Sequence, residues 1–240
     1  MSGHSKWAQI KRQKGAADQK RGNLFTKLGH AISVAARGGG GDPESNFKLR
    51  LAMDRAKSFN MPKENMDRAI KRGTGEIAGA EISEVTYEAF GPGGVGLIIE
   101  IVTDNKNRAL ADVKNILAKN GGRLGTAGSV NWMFEKKGAV IIPKGNIQNP
   151  DELELTLIDA GAEDIQENED ALTVTTTLEN VEKVKEAVEK NQTQVEYAGI
   201  DLVPKNKQTV GQDLLEKIKK LVTELEDYDE VNNVYATHEL

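Results

Sequence analysis

The stretch VTYEAFGPGGVGLIIEIVT, residues 85–103, decides the fold of this chain. It contains two runs rich in β-branched and other apolar residues, 85–90 and 95–103, separated by the turn-forming sequence Gly-Pro-Gly-Gly. Two such runs joined by a Gly/Pro cluster are typical of a β-hairpin. The sequence therefore predicts two strands and a tight turn here, and the flanking segments follow different patterns.

Before the hairpin, the apolar residues recur with the period of a helix. Leu24, Leu28 and Ile32 fall on one face, and the glycines at 38–41 end that helix. A second helix is predicted from Phe47, and a third begins near Pro62, because proline suits a first helical turn. Residues 1–78 are thus predicted to form a basic helical domain with a flexible N-terminal arm of about 20 residues that lacks an apolar face.

After the hairpin, helices and strands alternate. A helix is predicted at 110–117, and strands are predicted at SVNWMF (129–134) and AVIIP (139–143). Residues 134–204 follow the order β-α-β-β-α-β of a ferredoxin-like unit, and a further helix and strand come after them.

The predicted class is α+β, with an N-terminal helical bundle followed by two ferredoxin-like α/β sandwich domains, the third inserted in the second. The predicted domains are 1–78, then 79–133 plus 205–240, and the inserted 134–204.

Charge is distributed unevenly along the chain. Residues 1–78 contain 16 Lys/Arg and seven Asp/Glu, a formal charge of +9, whereas the remainder carries −14, which together give −5. Such asymmetry is typical of a basic part that binds nucleic acid or another polyanion. The acidic remainder is expected to contribute solubility, protein contacts or intramolecular repulsion of stray nucleic acid.

Composition excludes several kinds of chemistry. Without cysteine there are no disulfides, thiolate zinc sites or cysteine nucleophiles, and the three histidines show no metal-ligand spacing. No GxSxG motif is present. We therefore expect no catalytic residue, no metal, no cofactor and no enzymatic activity. No apolar run approaches 18 residues, so we expect no membrane contact and a cytoplasmic protein.

The N-terminal segment carries the strongest binding signal. Lys and Arg release counterions from a phosphate backbone, and an indole can stack on an unpaired base. The docking of Trp7 onto the helical bundle is the alternative for that side chain. The predicted nucleic-acid-binding residues of the segment are Lys6, Trp7, Lys11, Arg12, Lys14, Lys20, Arg21 and Lys27.

Two loops are further candidates. TDNKNR (103–108) precedes a predicted helix, where free N–H groups bind anions, so Lys106 and Arg108 join the predicted nucleic-acid-binding set. Simple capping of the helix by Asp104 or Asn105 is the alternative. GGRLGTAGS (121–129) contains GxxG but no Walker or dinucleotide motif, and a helix stop followed by a turn is the favoured interpretation.

Four blocks of the sequence resemble the YebC/PmpR family. They are GHSKWAQIKRQKGAADQKRGNLFTKL (3–28), PKENMDRAIKRGTG (62–75), YEAFGPGGVGLIIEIVTDNKNR (87–108) and GGRLGTAGSVNWMFEKKGAV (121–140). Ala109 departs from the pattern, which would have Thr there, so a hydroxyl contact to phosphate is missing at that position. The resemblance implies three domains, the third nested in the second.

The resemblance also implies a function. Members of this family are described as cytoplasmic, DNA-binding transcriptional regulators, and mitochondrial relatives as translational activators. Two alternatives for the partner are left open. A transcriptional regulator would bind duplex DNA, and a ribosome-associated activator of translation would bind ribosomal RNA or messenger RNA. An enzyme acting at loops 103–108 and 121–129 is a remote third alternative.

Overall fold

The structure is a computed structural model that describes residues 6–7, 9–11, 18–77, 82–168, 170–206 and 209–238. The chain divides into two compact units. The larger unit comprises Arg12–Met133 and Asn206–His238, and the inserted unit comprises Phe134–Lys205 with the described residues up to Lys11. The helices are α1 (Asp18–Gly39), α2 (Phe47–Ser58), α3 (Lys63–Gly73), α4 (Lys106–Lys119), α5 (Pro150–Asp159), α6 (Val181–Lys190) and α7 (Gln212–Asp227). The strands are β1 (Ser83–Phe90), β2 (Gly96–Thr103), β3 (Arg123–Leu124), β4 (Phe134–Pro143), β5 (Ala162–Glu167), β6 (Ala171–Thr176), β7 (Tyr197–Pro204) and β8 (Val231–Ala236).

The first three helices of the larger unit pack around one apolar cluster. Leu28 and Ile32 of α1 meet Leu49 of α2 and Met66 of α3, and all four are buried. Burial of these apolar side chains is the main force that holds the helices together. Gly73 allows α3 to approach α1, because a Cβ at this position would lie 2.2 Å from a backbone oxygen of α1.

The larger unit also contains an antiparallel sheet of order β3-β1-β2-β8. The predicted hairpin is present, with residues 83–90 of β1 paired to 103–96 of β2. Gly93 and Gly94 have φ angles of 72° and 78°, which a side chain would disfavour. Strand β2 is central, and its residues Leu97 and Ile99 pack against α4 and α7 in the core.

The inserted unit contains a second antiparallel sheet, of order β5-β6-β4-β7. Its elements follow the predicted β-α-β-β-α-β order along the chain. Val140 and Ile141 of β4 are fully buried, as are Leu157 of α5 and Val184 of α6. Strand β4 pairs with both β6 and β7, so the first strand of the unit lies at its centre.

The predicted α+β class is confirmed, with helices and two antiparallel four-stranded sheets. The predicted domain boundaries, including the separation of residues 1–78 from the first sheet, stay a prediction. The predicted strand SVNWMF is wrong, because a 3-10 turn occupies Asn131–Met133 and β4 begins only at Phe134. Backbone N–H groups of residues 128, 130 and 131 bind a carboxylate instead of a neighbouring strand, which bends the chain there.

Candidate nucleic-acid interface

Lys6 of the predicted binding segment lies in the inserted unit and is buried, with 8% of its surface exposed. Its Nζ is 3.6 Å from Oδ1 of Asp201 and 4.8 Å from the centre of the Tyr197 ring. The Tyr197 hydroxyl donates a hydrogen bond of 2.9 Å to the same carboxylate oxygen. A buried ammonium group needs such a partner. Lys6 therefore contacts the inserted unit in this structure.

Trp7 and Lys11 are brought together. The Lys11 ammonium lies 5.8 Å from the centre of the Trp7 ring, a cation–π distance, and it forms an ion pair with Asp170. About half of the Lys11 side chain remains exposed. Arg12 and Lys14 lie outside the described residues, and so do the side chains of Lys20 and Arg21. Nucleic-acid contact stays a prediction for Lys6, Trp7, Lys11, Arg12, Lys14, Lys20 and Arg21.

Lys27 has a different environment from the one expected for a phosphate contact. Its Nζ donates a hydrogen bond to the carbonyl oxygen of Glu226 in the last turn of α7. Burial lowers the pKa of Lys27 to about 8, although Asp229 and Asp227 act in the opposite direction. A cation at the carbonyl end of a helix is favourable, because the helix dipole is negative there. Lys27 therefore links α1 to the last turn of α7, and its contact with nucleic acid stays a prediction.

The start of α4, within TDNKNR, is capped by the protein itself. Oδ1 of Asn105 accepts a hydrogen bond of 3.1 Å from the backbone N–H of Arg108. The Arg108 guanidinium donates to Asp104 at 2.8 Å and also binds Glu230. Lys106 is exposed at the first position of the helix. Asn105 thus caps the helix, and an anion here would compete with two carboxylates for Arg108. Nucleic-acid contact by Lys106 and Arg108 stays a prediction.

Glu230, which lies between α7 and β8, binds the end of β2 as well as this helix start. It accepts a 2.9 Å hydrogen bond from the Thr103 hydroxyl, and its other oxygen lies 2.7 Å from the Tyr228 hydroxyl. That hydroxyl is also 2.8 Å from Asp112. Burial and then the two carboxylates raise the pKa of Tyr228, because a phenolate would be repelled there. The network connects the end of β2, α4 and the segment between α7 and β8.

Helix α3 presents cations that the sequence analysis did not single out. Arg68, Lys71 and Arg72 are exposed, and none of them forms an ion pair with any residue that the structure describes. Positions 68, 71 and 72 are spaced i, i+3 and i+4, so their side chains share one side of the helix. This spacing, three cations in five positions, is the signal that could have identified them.

The loop at 121–133 is organised by one carboxylate of β1. Glu88 accepts hydrogen bonds from the backbone N–H groups of Gly128, Val130 and Asn131 at 2.6, 2.5 and 2.8 Å. Burial acts to raise the pKa of Glu88, but the three N–H donors outweigh it and hold the pKa below its usual value. The favoured interpretation of GGRLGTAGS, a helix stop and turn, agrees with this geometry.

Trp132 ends the same loop and is the second feature that sequence reasoning missed. It exposes 62% of its surface, while its indole N–H donates a 3.1 Å hydrogen bond to the carbonyl oxygen of Ser129. Residues 129–134 were predicted to form a strand. The alternation of side chains along a strand gives no reason to expect an exposed indole at position 132.

The described residues include no cluster of three or more His, Asp or Glu side chains arranged to hold a metal ion. Within the same part of the chain, no helix is both long and apolar enough to cross a membrane.

Comparison with known proteins covers nearly the whole chain. Residues 5–76 match the TACO1/YebC protein N-terminal domain, and residues 82–238 match the TACO1/YebC second and third domain. A "Probable transcriptional regulatory protein" of Pseudothermotoga lettingae is 51% identical, with 100% of this chain and 94% of the relative covered. A protein of the same description from Caldanaerobacter subterraneus subsp. tengcongensis is 48% identical, with 100% and 99% covered.

A solved structure resembles the fold over the same extent. The crystal structure of a conserved hypothetical protein from Aquifex aeolicus matches with a TM-score of 0.89 and 41% sequence identity. The match covers 98% of this chain and 97% of that one. Since the two domain matches follow each other along the chain and full-length relatives are about half identical, the chain belongs to the TACO1/YebC family.

Proposed function

We propose that this protein is a non-enzymatic, nucleic-acid-binding regulator of gene expression that acts in the cytoplasm. The observation that carries the proposal is the exposed basic side of α3, where Arg68, Lys71 and Arg72 have no carboxylate partner among the described residues. Helix α3 lies within residues 1–78, the part of the chain whose formal charge is +9.

Phosphate contacts by such cations supply affinity for nucleic acid without sequence specificity. Each neutralised phosphate releases condensed counterions, which makes binding depend steeply on salt. Cations of the predicted arm, such as Arg12 and Lys14, would add to the same electrostatic attraction. Sequence preference would then have to come from DNA shape or from base contacts made elsewhere.

Duplex DNA is the first candidate partner. The relatives from Pseudothermotoga lettingae and Caldanaerobacter are named as transcriptional regulatory proteins. A regulator of that kind would place the basic region on duplex DNA near the genes it controls.

Ribosomal RNA is the second candidate partner, for a translational activator, and the exposed Trp132 favours it. Bases in a duplex are stacked on both faces, so an exposed indole finds stacking partners only where bases are unpaired. Sedimentation of a cell lysate at near-physiological salt, with and without RNase, separates the two candidates. Migration with ribosomal particles that RNase abolishes supports translation, whereas retention on duplex DNA with RNA intact supports transcription.

The internal contacts of the two candidate loops support a non-enzymatic role. Asn105 and Glu230 already engage the polar groups at the start of α4, and Glu88 occupies the backbone donors of the 121–133 loop. Donors that are already bound are not available to stabilise a reacting group.

The proposal predicts a specific change in salt dependence. The triple variant Arg68→Gln, Lys71→Gln, Arg72→Gln should reduce the slope of log K against log salt by roughly 2 to 3 for duplex DNA, since each phosphate contact contributes about 0.9. The variant Lys11→Ala, Arg12→Ala, Lys14→Ala should weaken binding in the same direction with folding intact. Fluorescence anisotropy with a labelled duplex and a labelled structured RNA, over a series of salt concentrations, measures both.

A charge-matched control removes three exposed lysines elsewhere. Lys190→Gln, Lys219→Gln, Lys220→Gln changes the net charge equally but alters α6 and α7. The control should keep the parent slope. If the α3 variant and the control behave alike, only net charge matters and the assigned surface is wrong.

A further inference from the structure

An exposed tryptophan is energetically unfavourable in the free protein, because its large apolar surface stays in contact with water. Binding of a ligand would remove that surface from water. Trp132 exposes 62% of its surface, although Ser129 already satisfies its only polar group. The remaining ring surface is apolar and flat. A ligand that covers it must supply a planar or apolar face.

The loop that carries Trp132 is held rigidly. Three of its N–H groups bind Glu88, and the backbone N–H of Gly125 donates to the carbonyl oxygen of Glu88 at 2.8 Å. A Cβ at Gly125 would lie 2.4 Å from Oγ of Ser129, so the two limbs of the loop touch here. A side chain presented by a fixed loop loses little conformational entropy when it binds a ligand.

The surroundings of Trp132 in sequence favour an anionic ligand. Residues 113–134 contain three Lys/Arg and no Asp or Glu. Arg123 is exposed, and its guanidinium lies 4.8 Å from the centre of the Phe90 ring, which orients it. The carboxylate of Glu88, which binds the loop, is compensated by its three N–H donors. A flat ligand attached to phosphate meets both requirements.

We propose that Trp132 is a stacking platform for an unpaired nucleobase of single-stranded nucleic acid, with Arg123 of β3 neutralising a flanking phosphate. The site rests on the proposed nucleic-acid-binding function and adds a contact that duplex phosphates cannot provide. Because any base has a π face, the contact tolerates different sequences and selects unpaired regions over duplex.

Fluorine NMR of the full chain labelled with 5-fluorotryptophan tests the contact directly. The sequence has two tryptophans, so two resonances are expected, and Trp132→Phe assigns them. Addition of a single-stranded 12-mer RNA should shift the Trp132 resonance, whereas the same sequence as a perfect duplex should leave it in place.

Affinity provides the second readout. Trp132→Ala should weaken binding of the single strand by about 10-fold, within the range of a lost base–aromatic stack, and Trp132→Phe should restore most of it. The matched control is Leu155→Ala on α5, which removes a comparably exposed apolar side chain and should leave binding unchanged.

The outcomes separate the two proposals. If the single strand binds but neither the Trp132 resonance nor the affinity of Trp132→Ala changes, the indole does not stack on bases and belongs to a protein-contact surface. In that case the nucleic-acid-binding function stands without this site. If neither single strand nor duplex binds the parent at any salt concentration, both proposals are overturned.

Discussion

At the scale of single residues, Glu88 connects a strand to a loop that is distant along the chain. Its carboxylate accepts from Gly128, 40 positions away, and from Val130 and Asn131. Backbone N–H groups that would otherwise need a strand or water are satisfied in this way. The loop conformation, and with it the exposure of Trp132, depends on this side chain.

Glu88→Gln is expected to destabilise the protein by about 1–2 kcal/mol at neutral pH, because the charge is lost and the amide nitrogen cannot accept a hydrogen bond from a loop N–H, in a partly exposed place. The pKa of Glu88 is lower in the folded chain than its ordinary value of 4.5. Its stabilisation is therefore complete above that ordinary value and is lost as the pH falls through the folded value. Urea unfolding measures the free energy of unfolding of parent and variant, and the difference between the two should be smaller at about pH 3 than at about pH 7.

Glu216→Gln serves as the control for this experiment, since Glu216 is an exposed residue of α7 paired only loosely with Lys219 at 3.8 Å. Its effect should stay within about 0.5 kcal/mol. A gap between parent and Glu88→Gln that does not depend on pH would show that the carboxylate charge is irrelevant to the loop.

Sequence patterns identified residue types more readily than residue environments. Lys6 and Lys27 are basic residues in a basic segment, yet the first is buried beside Asp201 and the second beside a helix end. Both partners lie far along the chain, and spacing carries no information about such contacts. The same reason explains why Glu88 was missed, whereas Trp132 was missed because residues 129–134 were predicted to form a strand.

At the scale of elements, periodicity and caps predicted most helices and strands. Helix α3 begins next to Pro62 as predicted, and the hairpin of β1 and β2 has the predicted turn. These elements were predictable because their signals are local. The segment at 129–134 reads as a strand locally, but the tertiary contact with Glu88 overrides that preference.

The start of α4 offers a test at this scale. Asn105→Ala should cost about 1 kcal/mol, because the N–H of Arg108 loses its side-chain acceptor. Asn105→Asp should be at least as stable as the parent, since a carboxylate at a helix N-terminus is favoured by the dipole. Thermal or urea unfolding measures both changes.

The neighbouring exposed residue Asn107 lies inside the helix and does not cap it. Asn107→Ala should therefore change stability by less than about 0.5 kcal/mol. Equal losses for Asn105→Ala and Asn107→Ala would contradict the capping assignment.

At the scale of the whole molecule, the first sheet depends on both ends of the larger unit. Strand β2 pairs with β1 on one side and with β8 on the other, and β8 follows the inserted unit in sequence. Deletion of residues 231–240 should expose an edge of β2 and one side of the core that includes Ile99.

Hydrogen exchange should show that the deletion of residues 231–240 affects the first sheet and not the second. Amides of β2 are expected to lose protection, whereas amides of β4 and β6, which pair only within the inserted unit, should keep it. Deletion of residues 239–240 alone is the control and should change neither set. Protection that is lost in both sheets would show that the two units do not unfold separately.

The pairing of β2 with the last strand also determines when the protein can fold during its own synthesis. The backbone N–H of Gly96 binds the Thr237 hydroxyl, 141 positions later. At a synthesis rate of about 10 residues per second, roughly 14 s pass between the synthesis of the apolar strand β2 and the synthesis of this partner. All strands of the inserted unit are made within that interval, so it can fold first. The inserted unit can therefore be complete while β2 still has an unpaired edge, and such an edge is prone to aggregation.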